Sequence, residues 1–134
     1  MSAVLLDTNA YIRYLGGDER VLEELGRADT VYLSVFVLGE LFAGFAGGSR
    51  SRKNRDTLDA FLGRPAVRLL EATRETAEVF GALQDSMKKA GTPLPTNDLW
   101  IAAHVFETGS VLLTFDAHFT RVPSLRVLLF ELPR

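Results

Sequence analysis

Short apolar runs alternate with longer segments of helical periodicity along this chain. The runs are continuous rather than alternating, which is typical of strands buried on both faces of a parallel sheet. The longer segments repeat apolar residues three and four positions apart, which predicts helices. Strands are predicted at residues 4–6, 30–34, 67–70, 111–115 and 125–130, and helices at 10–15, 18–26, 35–45, around 58–62, at 73–89 and at 98–108.

Strands that alternate with helices predict parallel β-α-β units with right-handed crossovers. We therefore expect an α/β fold, a three-layer α/β/α domain with a mainly parallel sheet of about five strands. The length of 134 residues suits one domain, and neither an internal repeat nor a linker divides residues 1–134.

Polar residues at the starts of the predicted helices supply candidate caps. Asn9 is predicted to cap the first helix, Asp18 the second and Ser34 the third, and Thr96 or Asn97 the last. The helix at 35–45 is apolar nearly all round, so we expect it to be buried.

Composition narrows the class of protein. Hydrophobic residues make up 47% of the chain, and the absence of cysteine excludes disulfides and thiolate sites. No stretch is apolar for long enough to span a bilayer, and the start MSAVLLDTN lacks signal-peptide features, so a soluble cytoplasmic protein is expected. The net charge of −2 argues against nucleic-acid binding by bulk charge but leaves a nuclease with an acidic, cation-binding site open.

Four carboxylates stand out by their positions. Asp7 and Asp116 directly follow predicted strands, while Glu40 and Asp98 lie in predicted helices with mainly apolar neighbours. Asp7, Asp98 and Asp116 each have an ordinary interpretation alone, as turn or helix-start residues. Glu40 would be costly to bury unless it were paired or bound to a metal. Together, the four fall where a parallel sheet has its ligand crevice, beyond the carboxyl ends of the strands.

A cluster of buried acids would repel and hold protons unless a cation neutralised it. Oxygen ligands alone favour Mg²⁺ or Mn²⁺, and a water bound to such an ion can attack phosphorus. This points to phosphodiester hydrolysis. His104 and His118 are interpreted as structural or surface residues, and the motifs GxxxxGK[ST], GxGxxG and GxSxG are missing.

The strand-DTN segment at residues 7–9, LGELFAG at 38–44, NDLWIAA at 97–103 and LLTFDAHF at 112–119 resemble the motifs of PIN domains, and more narrowly of VapC-type toxin ribonucleases. The resemblance implies a Mg²⁺- or Mn²⁺-dependent endoribonuclease, usually a homodimer, that a cognate VapB-like antitoxin inhibits by placing its tail in the active-site groove. The position-by-position match implies that Asp7, Glu40, Asp98 and Asp116 are the catalytic, metal-binding acids, with Thr8, Asn97 and Thr114 as supporting polar residues.

His118 stands where many family members have a further Asp. This departure leaves a second metal site in question and raises the hypothesis that His118 contacts substrate.

A glycine-rich, basic patch at residues 47–55 is predicted to be a mobile loop leading into a helix. Its side chains are interpreted either as contacts to the RNA backbone or as the solvated start of that helix. They are Arg50, Arg52, Lys53 and Arg55.

Two other functions are compatible with the motifs: a PIN nuclease that processes RNA without an antitoxin, and a non-catalytic module that binds metal or protein. A receiver-type signalling domain would need an Asp after the third strand, where Leu70 is instead followed by Glu71.

Overall fold

A computed structural model describes residues 2–132. Its centre is one parallel sheet whose strands run in the order β3-β2-β1-β4-β5. The strands are β1 (Ala3–Leu6), β2 (Thr30–Ser34), β3 (Val67–Leu70), β4 (Val111–Thr114) and β5 (Val127–Leu129). The helices are α1 (Thr8–Leu15), α2 (Glu19–Arg27), α3 (Val35–Ala46), α4 (Ser51–Leu62), α5 (Arg74–Lys89) and α6 (Thr96–Thr108), with a 3₁₀ turn at Ala117–Arg121.

The chain order of the strands reverses at β1. The sheet grows from β1 through β2 to β3, and the chain then returns to place β4 on the other side of β1. Right-handed crossovers therefore put α1 to α4 on one face of the sheet and α5 and α6 on the other. The predicted α/β/α architecture with five parallel strands is confirmed.

The core lies between the sheet and these two helix layers. Leu5, Leu6, Leu33, Leu112 and Leu113 are fully buried in the central strands. A smaller cluster around Met87 and Leu99 fixes α5 against α6. No helix within residues 2–132 combines the length and the apolar character needed to cross a bilayer.

Several predicted boundaries were wrong by a few residues. The strands predicted to end at residues 115 and 130 end at Thr114 and Leu129, and the last begins only at Val127. The helix predicted to end at Gly26 runs to Arg27. Phe115 and Phe130 lie just beyond the last paired residues of β4 and β5, so apolar character alone does not mark the end of a strand.

Two predicted helix caps were also wrong. α1 is capped by Asp7 rather than by Asn9, and α6 begins after Pro95, so that Thr96 and Asn97 lie within its first turn. In both cases the helix begins two residues earlier than its polar sequence suggested. The predicted caps Asp18 and Ser34 are confirmed, since each accepts hydrogen bonds from the backbone of the following turn.

The prediction that α3 is buried was wrong. Only Val37 and Leu41 are buried, while Gly39, Ala43 and Gly44 are exposed. Glycine and alanine carry little apolar surface, so a helix rich in them can face solvent at small cost. An apolar composition therefore does not by itself mark a buried helix.

The basic patch forms a helix rather than a loop over most of its length. α4 begins at Ser51, so Arg52, Lys53 and Arg55 are helical and Arg50 takes the cap position. Arginine and lysine are good helix formers, which explains why the loop ends early.

His104 is a structural residue, as predicted. Its Nδ1 lies 2.8 Å from Ser34 Oγ, and its Nε2 lies 3.1 Å from the backbone oxygen of Glu71. Ser34 Oγ also accepts a hydrogen bond of 3.1 Å from the Phe36 amide. Burial lowers the pKa of His104, so the ring is neutral, and it joins α6 to the end of β2 and to the loop after β3.

Candidate functional site

The candidate site lies at the carboxyl ends of β1 and β4, where the strand order reverses. Leu6 pairs with Leu113, so Asp7, which follows β1, lies beside Thr114, the last residue of β4. Ligands in open parallel sheets bind at such a switch point. Sequence alone did not give the strand order, and the adjacency of β1 and β4 is what brings Asp7 and Asp116 together.

The four predicted acids line one pocket of about 140 Å³. Asp7 and Asp116 come from the strand ends, Glu40 from α3 and Asp98 from the first turn of α6. The remaining lining residues are Thr8, Asn9, Ile101 and Phe119. The predicted convergence of Asp7, Glu40, Asp98 and Asp116 is therefore present in the fold.

Asp7 is held on both carboxylate oxygens. Oδ1 accepts a hydrogen bond of 2.8 Å from the Ala10 amide, which caps α1, and Oδ2 accepts one from the Thr114 hydroxyl. Asp7 is 4% exposed and Thr114 is fully buried. The pair links β1, α1 and β4, and it fixes this carboxylate before any ligand binds.

Asp116 is fixed by the turn that follows it. Its amide donates a hydrogen bond of 2.9 Å to Thr114 Oγ1, and its Oδ1 accepts one of 2.9 Å from the His118 amide. The His118 ring also lies against Asp116, with Nδ1 3.2 Å from Oδ1. His118 is exposed, as predicted, but it has Asp116 as a partner that the sequence did not reveal.

Glu40 differs from the expectation of a buried acid. Its side chain is exposed, and Oε1 accepts a hydrogen bond of 2.8 Å from Thr8 Oγ1. The space beside Gly39 and Gly44 is open, since apart from the nearby backbone of α3 and the adjoining residues no atom lies within 4 Å of where a Cβ would stand. Glu40 therefore contributes a carboxylate at the rim of the pocket, where its charge carries no large burial cost.

Burial raises the pKa of Asp7 to about 6, even though the hydrogen bonds from Thr114 and Ala10 lower it. The negative charges of Asp116 and Asp98 add to the increase. Burial likewise raises the pKa of Asp98 to about 6, with repulsion from Asp116 and Glu40 added and a smaller opposing effect of His118. Carboxylates that resist ionisation together need a positive charge between them.

The donor set fits a hard divalent cation better than it fits zinc. All four side chains offer oxygen, and His118 is turned toward Asp116. Within residues 2–132, no three acid or histidine side chains already stand in positions that would ligate one ion. The acids thus line a pocket whose oxygen donors suit a hard cation, but their carboxylates are not close enough together to ligate one ion at the same time.

Not every predicted site residue reaches the pocket. Thr8 lines it, and Thr114 lies just behind Asp7, but Asn97 is half-buried beside the pocket and does not line it. The basic residues of the patch are also absent from the lining; they are Arg50, Arg52, Lys53 and Arg55. Arg55 instead lies over the Phe42 ring, 4.5 Å from its centroid.

Asn9, Ile101 and Phe119 line the pocket but were not predicted as site residues. Asn9 and Phe119 belong to the same motifs as Asp7 and Asp116, and Ile101 is one helical turn after Asp98. Helical spacing from a candidate acid was therefore a usable signal.

Comparison with protein families finds one family that spans all four segments carrying the candidate acids. The profile of the PIN domain matches residues 4–125. Ribonuclease VapC2 of Rickettsia felis is 30% identical over 105 residues, which cover 78% of this chain and 77% of that protein. Ribonuclease VapC2 of Haemophilus influenzae is 30% identical over 131 residues, which cover 94% of this chain and 96% of that protein.

Comparison with solved structures gives the same grouping. VapBC2 from Rickettsia felis, solved bound to a DNA fragment from the VapBC2 promoter, contains a chain that superimposes with a TM-score of 0.84 at 25% identity. The superposition covers 96% of this chain and 99% of that chain. The similarity extends over the full sheet and all the segments that carry the acids.

Proposed function

This chain belongs to the PIN domain family, and we propose that it is a metal-dependent endoribonuclease, the toxin of a VapBC-type toxin–antitoxin pair. One observation carries the proposal: Asp7, Glu40, Asp98 and Asp116, far apart in sequence, line a single pocket at the switch point of the sheet. The names of the relatives, which are ribonucleases VapC, support RNA as the substrate class.

We propose Mg²⁺ or Mn²⁺ as the cofactor, held by Asp7, Glu40, Asp98 and Asp116. The all-oxygen donor set and the raised pKa values of Asp7 and Asp98 support this assignment. When bound, such an ion supplies a water of lowered pKa and neutralises charge on the phosphate.

The residues of the chain prepare the site for this chemistry. Thr114 and the Ala10 amide hold the Asp7 carboxylate, while Thr8 holds that of Glu40. The turn at His118 holds Asp116. Carboxylates held by hydrogen bonds have little motion left to lose, so less reorganisation is needed when the metal and the substrate arrive, and such positioning is a main contribution of a protein to phosphoryl chemistry.

Partners follow from the same assignment. We propose a VapB-like antitoxin, because the structural neighbour from Rickettsia felis is a VapBC complex. We also propose a homodimer that acts in the cytoplasm. The small exposed residues of α3, Gly39, Ala43 and Gly44, leave a low surface beside Glu40 that is compatible with such an assembly.

The test is cleavage of total RNA by the purified protein in Mg²⁺, in Mn²⁺ and in EDTA. Asp98→Asn is the diagnostic variant, and Asp59→Asn on the exposed side of α4 is its matched control. We expect cleavage only with metal, lost in Asp98→Asn and kept in Asp59→Asn.

Cleavage that survives both EDTA and Asp98→Asn would overturn the proposed site. No cleavage by folded, antitoxin-free protein under any condition would instead favour the non-catalytic binding module. Cleavage without any antitoxin gene beside the coding sequence would favour an RNA-processing nuclease.

A further inference from the structure

A second groove continues from the acidic pocket along α1. Asn9 lines both, and the groove has a volume of about 560 Å³. Ile12 and Arg13 in α1, and Gly16 directly after it, lie on the same helical stripe as Asn9, so the groove follows one face of the helix. The lining residues are Asn9, Ile12, Arg13, Gly16, Gly17 and Asp18, and we refer to this surface as the α1 groove.

Arg13 is the one basic side chain among the described residues that line the pocket or the groove. Within residues 2–132 its guanidinium makes neither an ion pair nor a hydrogen bond, and it lies over the Phe115 ring, 5.5 Å from the centroid. Phe115 directly precedes Asp116, so the segment that carries this candidate acid also contacts the Arg13 guanidinium.

The neighbouring Arg20 shows why Arg13 remains available. The Arg20 guanidinium also lies near Phe115, 5.6 Å from the ring centroid. It donates hydrogen bonds of 2.9 Å to the Asp18 carboxylate and of 2.9 Å to the backbone oxygen of Glu131. Asp18, the acid in the groove, is thus already neutralised. Arg13 keeps its full charge and its five N–H donors.

We propose that Arg13 binds a backbone phosphate of the RNA strand next to the bond that is cut, so that the α1 groove is the path of the substrate. This inference rests on the proposed function. Arg13 is four residues after Asn9, about 6 Å along the helix axis, which places it within about two nucleotides of the acidic pocket. Ile12, which is 52% exposed, offers an apolar surface to a base on the same path.

A structural explanation of Arg13 is also available, because it lies in the last turn of α1, where a cation is stabilised by the helix dipole. That role would not change the affinity for RNA or its dependence on salt. A phosphate contact changes both, since each neutralised phosphate of a single strand adds about 0.7 to the slope of log affinity against log salt.

The experiment measures binding of a short fluorescein-labelled single-stranded RNA of mixed sequence by anisotropy, in EDTA so that nothing is cleaved, over a series of salt concentrations. The proteins are the wild type, Arg13→Gln, Arg13→Lys and the control Arg126→Gln. Arg126 is exposed and lies before β5, at the opposite end of the sheet from the acids.

We expect Arg13→Gln to raise the Kd about tenfold and to reduce the salt slope by about 0.7. Arg13→Lys should keep the slope because it keeps the charge, and Arg126→Gln should behave as the wild type. Circular dichroism and thermal unfolding check that each variant is folded.

Equal Kd and slope for Arg13→Gln and the wild type would overturn the proposal, and so would the absence of RNA binding by the wild type. Weaker binding of a polyglutamate peptide by Arg13→Gln, with RNA binding unchanged, would assign Arg13 to a protein partner and also overturn it. Arg13-dependent RNA binding without any cleavage in Mg²⁺ or Mn²⁺ would support the α1 groove as the path of the RNA and overturn the proposed nuclease activity.

Discussion

The Thr8 hydroxyl donates a 2.8 Å hydrogen bond to Glu40 Oε1, which joins the first residue of α1 to the middle of α3. Glu40 is exposed, so this bond is what limits the motion of its carboxylate. Thr8 directly follows Asp7, and a single turn of chain therefore orients two of the candidate ligands.

Thr8→Val removes this bond while keeping the shape of the side chain. We expect Mn²⁺ affinity, measured by calorimetry, to fall about tenfold, the usual effect of losing a partner of a metal ligand. The melting temperature should change little because Thr8 is only half-buried. Thr57→Val on α4 is the control, since its hydroxyl donates to the backbone oxygen of Lys53 in its own helix. Unchanged Mn²⁺ affinity in Thr8→Val would show that Glu40 needs no such support.

Metal binding should depend on pH near 6. The pKa values of Asp7 and Asp98 are raised to about 6, and both groups must lose protons to bind a cation. Mn²⁺ affinity should therefore fall as the pH drops below about 6, with protons released on binding there and few released at neutral pH. Calorimetry in buffers of different ionisation enthalpy counts these protons. An affinity that does not vary with pH would contradict the assignment of Asp7 and Asp98 as ligands.

The metal-free protein should carry a stability cost from Asp7. Its folded pKa of about 6 lies above the unfolded value of 3.8, so the folded state binds the proton more tightly and loses stability as the pH rises from about 4 to about 6. In EDTA at neutral pH, Asp7→Asn should be more stable than the wild type by at most roughly 3 kcal/mol. At pH about 4 the two should be equal.

Urea unfolding at the two pH values measures this difference. Asp59→Asn, at an exposed position, is the control and should match the wild type throughout. A destabilised Asp7→Asn at neutral pH would mean that the bonds from Ala10 and Thr114 outweigh the cost of the buried charge.

Tyr11 gives a prediction that is independent of the site. It is fully buried against Phe61, and its hydroxyl has no hydrogen-bond partner within residues 2–132. An unpaired buried hydroxyl costs about 1–3 kcal/mol, so Tyr11→Phe should stabilise the protein by up to about that amount. Urea unfolding measures it, with Tyr14→Phe at a half-buried position for comparison. A loss of stability would show that an ordered water pairs with the hydroxyl.

The sequence was sufficient for the architecture because the strands are continuous apolar runs separated by helix-length segments. It also placed Asp7 and Asp116 at strand ends, and parallel strands bring such residues to one edge. The cap of α1 was misplaced because Asp7 was considered a turn residue rather than the acceptor for the Ala10 amide, and that of α6 because this helix begins after Pro95 without any side-chain cap. A cap depends on a side-chain rotamer, which periodicity does not reveal.

The character of Glu40 could not be predicted for a different reason. The sequence shows that α3 is apolar, but burial depends on how much of a helix its neighbours cover. Here the buried stripe is narrow, limited to Val37 and Leu41. The contact of Arg13 with Phe115 was equally hidden, since the two residues are about a hundred positions apart and meet only because β4 lies next to β1.

The two hydrogen bonds of His104 are compatible with only one tautomer of its neutral ring. A backbone oxygen can only accept, so His104 Nε2 carries the ring proton toward Glu71, and Nδ1 accepts from the Ser34 hydroxyl. Replacing Ser34 or His104 alone leaves a buried polar atom of the other side chain unpaired, and replacing both still deprives the Phe36 amide and the Glu71 backbone oxygen of their partners. Although 70 positions separate them, the two side chains form one hydrogen-bonded unit that also serves the Phe36 amide and the Glu71 backbone oxygen, so we expect natural variants to keep both.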